Sequence, residues 1–151
     1  MRSPNWLRIA LCGFVTGVIC HLLSVASLAI LAPDFYPSVR QTAPYPSQGG
    51  AFFFAIDVLM GVWAVWLYSS IAPRYGEKLS AAAMAAVAWW TLKTLQSAKW
   101  VGLGYLTLGP RLLPLGVATL GATVVALAVG AWMYTRAGVV ASSGPMGAEA
   151  R

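Results

Sequence analysis

The feature that most constrains this chain is a set of four long apolar stretches. They cover residues 9–32, 51–72, 79–98 and 112–135, and the segments between and beyond them hold 12 of the 14 charged residues. A helix rises about 1.5 Å per residue, so about 20 apolar residues cross a hydrocarbon core about 30 Å thick. Each stretch is therefore long enough to form a membrane-spanning helix.

The composition agrees with a membrane location. Hydrophobic residues make up 59% and charged residues 9% of the 151-residue chain, whereas about a quarter of the residues of soluble domains are charged. We therefore expect an all-α integral membrane protein, folded as a four-helix antiparallel bundle over residues 1–136. Residues 137–151 are small and polar, bury little surface, and are predicted to form a flexible C-terminal tail.

Lysine and arginine are distributed unequally between the two ends of the predicted bundle. The end that holds both termini carries six of them and the opposite end carries three. Because basic residues accumulate on the cytoplasmic side, both termini are predicted to be cytoplasmic. The two sets are Arg2, Arg8, Arg74, Lys78, Arg136 and Arg151, and Arg40, Lys99 and Arg111.

The net charge of +6 raises the question of nucleic-acid binding. The basic residues, however, stand singly or in pairs at the helix ends and form no cluster, a spacing that suits lipid headgroups. We therefore expect membrane lipids, and other membrane protein subunits, as partners, and no nucleic acid.

Three ionisable side chains fall inside the predicted spans: His21, Asp57 and Lys93. An unpaired charge in the membrane costs about 2.5–3.5 kcal/mol on insertion scales. Counted from the predicted helix ends, Asp57 lies roughly 9 Å and Lys93 roughly 8 Å below the same membrane surface. The short turn after residue 72 makes their helices neighbours, so we predict a salt bridge between Asp57 and Lys93.

His21 lies somewhat deeper, and together with Gln96 it completes a predicted intramembrane polar cluster. The cluster can be interpreted as a proton or ligand site, or as an internal network that fixes helix register. The second interpretation is favoured because polar groups in lipid need partners in any case. His21 could also be an axial ligand of a haem or a pigment, although no cofactor is required. No metal site is predicted, because one histidine and four acids offer few ligands.

Small residues mark the faces on which the helices should pack. Gly13 and Gly17 share one face of the first helix, and His21 continues that stripe four residues later. Gly61 lies on the same side of the second helix as Asp57. Such residues let helix backbones approach closely in lipid, and we predict packing within the chain rather than a dimer interface. The corresponding stripe on the fourth helix is Ala118, Ala122, Ala126 and Gly130.

Three short segments carry a family resemblance. They are residues 5–17, with Asn-Trp-Leu-Arg followed by Gly-Phe-Val-Thr-Gly, residues 65–76, which read Val-Trp-Leu-Tyr-Ser-Ser-Ile-Ala-Pro-Arg-Tyr-Gly, and residues 130–134, which read Gly-Ala-Trp-Met-Tyr. Over residues 5–135 the chain resembles a family of small, uncharacterised four-helix bacterial membrane proteins. The resemblance implies the fold and the inner (cytoplasmic) membrane of a bacterium, but no activity. Members carry an acidic residue where this chain has Cys20 and His21.

The sequence contains no Gly-x-Ser-x-Gly, His-Glu-x-x-His or phosphate-loop motif, so no residue is predicted to be catalytic. We expect a non-catalytic accessory or structural subunit of a larger bacterial membrane complex. The alternative is a small transporter, or a lipid- or ligand-binding membrane protein, that uses the intramembrane polar cluster. A membrane enzyme without a recognisable motif is the third interpretation.

Overall fold

The structure, a computed structural model, describes residues 5–33, 49–75, 79–102, 109–110 and 112–142. These residues form four helices and no strand, which confirms the predicted all-α bundle. The helices are α1 (Trp6–Leu31), α2 (Gly49–Tyr75), α3 (Leu79–Gly102) and α4 (Leu112–Ser142).

The helices are longer than the apolar stretches that predict them. Helix α1 begins at Trp6, because the Asn5 side chain accepts a hydrogen bond of 3.2 Å from the Arg8 backbone N–H and caps the helix. Helix α2 continues past Pro73 to Tyr75, since a proline this close to the end removes a single backbone hydrogen bond.

Helix α4 runs seven residues beyond its predicted span, which ends at residue 135, and six beyond the predicted domain boundary at Arg136. Residues 137–142, which were assigned to the flexible tail, continue the helix to Ser142. Alanine and valine make up most of this extension and are compatible with helical backbone. The rest of the predicted tail, residues 143–151, lies outside the described residues.

The bundle is arranged so that consecutive helices are neighbours. Helix α1 packs against α2 and α4, and α3 packs against the same two helices, so that α1 and α3 are diagonal to each other. Along the α1–α2 interface Gly13 faces Val62 and Gly17 faces Val58. The residue numbers run in opposite directions, and the two helices are therefore antiparallel.

Small residues fill the interior of the bundle and large apolar residues cover its outside. The accessible fraction is 0% for Ala64, Ala85 and Ala126, but 76% for Ile30 and 78% for Leu113. A soluble protein rarely exposes contiguous apolar surface on this scale, whereas lipid chains solvate it without penalty. The distribution is that of a membrane protein.

Three helices are long and apolar enough to cross a membrane, judged by length and composition over the described residues. These segments are Trp6–Leu31, Gly50–Tyr75 and Leu113–Arg136. Helix α3 was also predicted to span the membrane, but it is not apolar enough to be counted with these three helices. It has 24 residues, enough to cross, but Lys93, Gln96 and Lys99 lower its hydropathy. A fourth crossing therefore stays a prediction.

Glycines bring the backbones of α1 and α2 into direct contact. A Cβ atom on Gly61 would lie 2.5 Å from both the Gly13 carbonyl oxygen and the Gly17 nitrogen. A Cβ atom on Gly17 would lie 2.5 Å from the Val58 Cα. Even a methyl group would thus require the helices to separate, so the three glycines set the closest approach of α1 and α2.

The small-residue stripe of α4 lies mostly in the interior. Ala122, Ala126 and Gly130 are buried, whereas Ala118 is half-buried. A Cβ atom on Gly130 would overlap the Thr16 hydroxyl of α1, which donates a 2.8 Å hydrogen bond to the Cys12 carbonyl. Gly130 therefore allows α4 to pack closely on α1.

Candidate functional site

Asp57 of α2 is the centre of an ionic cluster that joins three helices. Its Oδ1 atom accepts a 2.9 Å hydrogen bond from the Lys93 Nζ of α3, and its Oδ2 atom lies 2.9 Å from the His21 Nδ1 of α1. Both carboxylate oxygens are therefore occupied by partners from different helices. The sequence had predicted the Asp57–Lys93 pair, and the structure places those two side chains in a salt bridge.

The imidazole of His21 is oriented by Asp57. An ionised carboxylate can only accept hydrogen bonds, so the His21 Nδ1 must be the protonated donor in this contact. The Nε2 atom makes no hydrogen bond to any residue in the described segments. The ring meets the Phe54 ring edge-on, with centroids 5.3 Å apart and planes at 85°. Phe54 thereby limits how the imidazole can turn.

Lys93 contacts more than its carboxylate partner. Its Nζ atom also lies 3.9 Å from the Cys20 Sγ and 5.8 Å from the centre of the buried Trp89 ring. The Cys20 thiol is fully buried and lies 3.9 Å from the Ser24 hydroxyl. The ammonium group is thus surrounded by an anion, a polarizable sulfur and an aromatic face, all of which favour a cation.

The cluster lies deep within the bundle. Counting from the helix ends at residues 31, 49 and 102, His21 is about 15 Å, Asp57 about 12 Å and Lys93 about 14 Å from that end. The depths of Asp57 and Lys93 exceed the predicted ones because α2 and α3 extend beyond their apolar stretches at this end. The side chains still keep accessible fractions of 19% for His21, 13% for Asp57 and 28% for Lys93.

The glycine contacts explain why His21 and Asp57 meet. Gly13, Gly17 and His21 follow each other at four-residue intervals on α1, as Asp57 and Gly61 do on α2. Once Gly13 and Gly17 are packed against α2 in antiparallel register, the next position on the α1 stripe must face the start of α2. The backbone contact therefore carries His21 to Asp57.

Gln96 does not join the cluster. It is exposed and makes no hydrogen bond within the described part of the chain. A residue three positions after Lys93 is turned by about 60° around the helix axis, and this rotation directs Gln96 away from Asp57. Cys20 and Phe54 were not predicted as members, although Cys20 precedes His21 directly and Phe54 lies three residues from Asp57.

The arrangement allows two kinds of chemistry. It can hold three helices in one register, since removal of any member would leave a polar group unpaired in a low-dielectric interior. It can also bind a ligand at His21, whose Nε2 would be the residue's donor atom if a haem or a pigment were held there. The described residues contain no group of three metal-ligating side chains.

Comparisons with known proteins add no further assignment. The chain matches no protein-family model, no curated protein and no solved structure.

Proposed function

We propose that this chain is a four-pass protein of the bacterial inner membrane with both termini in the cytoplasm, and that α3 makes the fourth crossing. The antiparallel order supports an even number of crossings, and the excess of basic residues at the end with both termini supports the orientation. The resemblance of residues 5–135 to small bacterial membrane proteins supports the assignment to that membrane.

Reporter fusions test this topology. We expect a cytoplasmic reporter fused after residue 4 or after residue 142 to be active, and the same reporter inserted in the 34–48 connection to be inactive. A periplasmic reporter should give the opposite pattern, because only one side of the membrane supports each activity. Termini on opposite sides would contradict the four-pass proposal.

Within that membrane, we propose that the protein is a non-catalytic accessory subunit of a larger complex. The observation that carries this proposal is the engagement of both Asp57 oxygens by His21 and Lys93. The charges of the cluster are compensated within the chain, as expected if they serve to hold the helices together.

The outer face of α4 supports contact with another helix. Gly121 is exposed on that face, and a Cβ atom there would meet nothing within 4 Å. Glycine lowers helix stability by about 1 kcal/mol relative to alanine, and no contact with the described residues requires it here. An exposed glycine suits the close approach of a helix from a partner subunit.

Native mass measurement after mild-detergent extraction from the source membrane tests the subunit role. We expect the 16.0 kDa chain to migrate with at least one other protein, and Gly121→Leu to release it. Gly50→Leu is the matched control, since a Cβ atom at Gly50 also meets nothing within 4 Å. A chain that always appears alone would contradict the subunit role.

The second candidate is a small transporter, or a lipid- or ligand-binding protein, that uses the ionic cluster. The accessible surface that His21, Asp57 and Lys93 retain favours it. In the same measurement, a lone chain that carries a small molecule, lost in His21→Leu, would select this candidate. Visible absorbance of that sample would identify the molecule as a haem or a pigment.

A further inference from the structure

A cleft opens between α3 and α4 at the end of the bundle opposite the ionic cluster. Its volume is about 180 Å³. The cleft exists because three residues that line it, Ala82, Ala128 and Ala131, have short side chains. The buried Tyr68 ring of α2 forms its inner wall. Its remaining walls are Leu79, Trp132 and Thr135.

The cleft opens to the outside of the bundle. Leu79 is 73% and Trp132 54% accessible, and they stand on opposite helices at its mouth. Ala128 precedes Arg136 by eight residues, so the cleft reaches about 12 Å inward from the level of Arg136 along the helix axis. The apolar span of α4 ends at Arg136, and the cleft therefore runs from the headgroup level into the hydrocarbon region.

A cation stands at the outer end of the cleft. The Arg136 guanidinium lies 4.6 Å from the centre of the Trp132 ring, and its N–H groups donate to no group among the described residues. Among the described residues Asp57 is the one acidic residue, and it is engaged in the ionic cluster at the opposite end of the bundle. By sequence, this end of the bundle carries six basic residues and two acidic ones, Glu77 and Glu149.

We propose that this cleft is a binding site for an anionic phospholipid. One acyl chain lies against the three alanines and the Trp132 ring, and Arg136 binds the phosphate of the headgroup. In a bilayer the open cleft lies against lipid, so an acyl chain fills the space. The local positive charge selects a lipid with a net negative headgroup. The site rests on the proposed fourth crossing, because α3 forms one wall of the cleft, but it does not depend on the proposed subunit role.

Lipid retention in native mass spectrometry tests the site on the purified full chain. The probes are phosphatidylglycerol and phosphatidylcholine with identical acyl chains, offered at equal concentration. We expect phosphatidylglycerol to be retained about fivefold better, the ratio that corresponds to about 1 kcal/mol for one basic residue. Arg136→Gln should bring the two lipids to equal retention, whereas Arg74→Gln, an exposed arginine at the same end, should not.

The cleft itself is tested separately from the charge. Ala128→Leu fills it from within, and Leu79→Trp narrows its mouth at an exposed position that does not touch the interior. Both variants should lose both lipids while keeping the native helix content by circular dichroism. Equal retention of the two lipids by the native chain would overturn the headgroup assignment. If Leu79→Trp and Ala128→Leu retained the lipids as well as the native chain does, the assignment of the lipid site to this cleft would be overturned.

Discussion

Gly61→Leu should destabilise the bundle by about 3 kcal/mol or more, the upper end of the range for overpacked interiors. The first atom of the new side chain would already lie 2.5 Å from the Gly13 oxygen and the Gly17 nitrogen. These are backbone atoms, so no side-chain rotation can relieve the overlap. Separation of α1 and α2 would also pull His21 away from Asp57. The measurement is the free energy of unfolding in mixed micelles as the fraction of denaturing detergent rises.

Gly121→Leu is the control for this experiment. It introduces the same side chain into the same kind of helix, but a Cβ atom at Gly121 meets nothing within 4 Å. In the isolated chain its unfolding free energy should be unchanged or raised by up to about 1 kcal/mol, because leucine is a better helix former than glycine. Equal effects of the two substitutions would show that close approach at Gly61 does not limit stability.

Asp57→Asn should cost about 3–5 kcal/mol, the range observed when one partner of a buried ion pair is removed. The variant leaves the Lys93 ammonium without its counter-charge and the His21 Nδ1–H with a weaker acceptor. Helices α1 and α3 would lose the ionic part of their contact with α2 at this level of the bundle. The free energy of unfolding again gives the magnitude.

A double-mutant cycle separates the ion pair from general damage at the site. Lys93→Met alone should destabilise, because it leaves the Asp57 carboxylate with His21 as its remaining cluster partner. The second single variant of the cycle is Asp57→Leu. The double variant Asp57→Leu, Lys93→Met removes both charges and should be more stable than either single variant, since hydrophobic replacement of a whole buried pair is often neutral. Strictly additive losses would show that the two charges do not interact.

The fold and one contact of the site could be predicted because both depend on distance along a helix. Apolar length predicts the helices, and the rise per residue places Asp57 and Lys93 at similar depth on neighbouring helices. The predicted depths of roughly 9 and 8 Å fall short of about 12 and 14 Å, because helices continue beyond their apolar stretches. Helix α2 begins at Gly49 rather than at residue 51, and α3 ends at Gly102 rather than at residue 98.

Predicting the contact between His21 and Asp57 would have required the register of α1 relative to α2, which the sequence does not give. The long connection between α1 and α2 leaves both their adjacency and their relative height open. The close approach at Gly13, Gly17 and Gly61 fixes both, and small residues alone do not reveal which helix they face. The sequence also does not show how each side chain is rotated about the helix axis. Gln96 was therefore predicted in the cluster, although its side chain points away from the side of α3 that carries Lys93.

The alanine interior and the bulky apolar exterior have a consequence for how this chain can vary. At outward positions such as Leu113 and Ile30, a change of size meets only fluid acyl tails, so exchange among leucine, isoleucine, valine and phenylalanine should be tolerated freely. At Ala85 or Ala126 a single added methyl group has nowhere to go. A saturation-mutagenesis map should therefore show strict limits at these interior alanines and wide freedom at the large apolar residues that face outward.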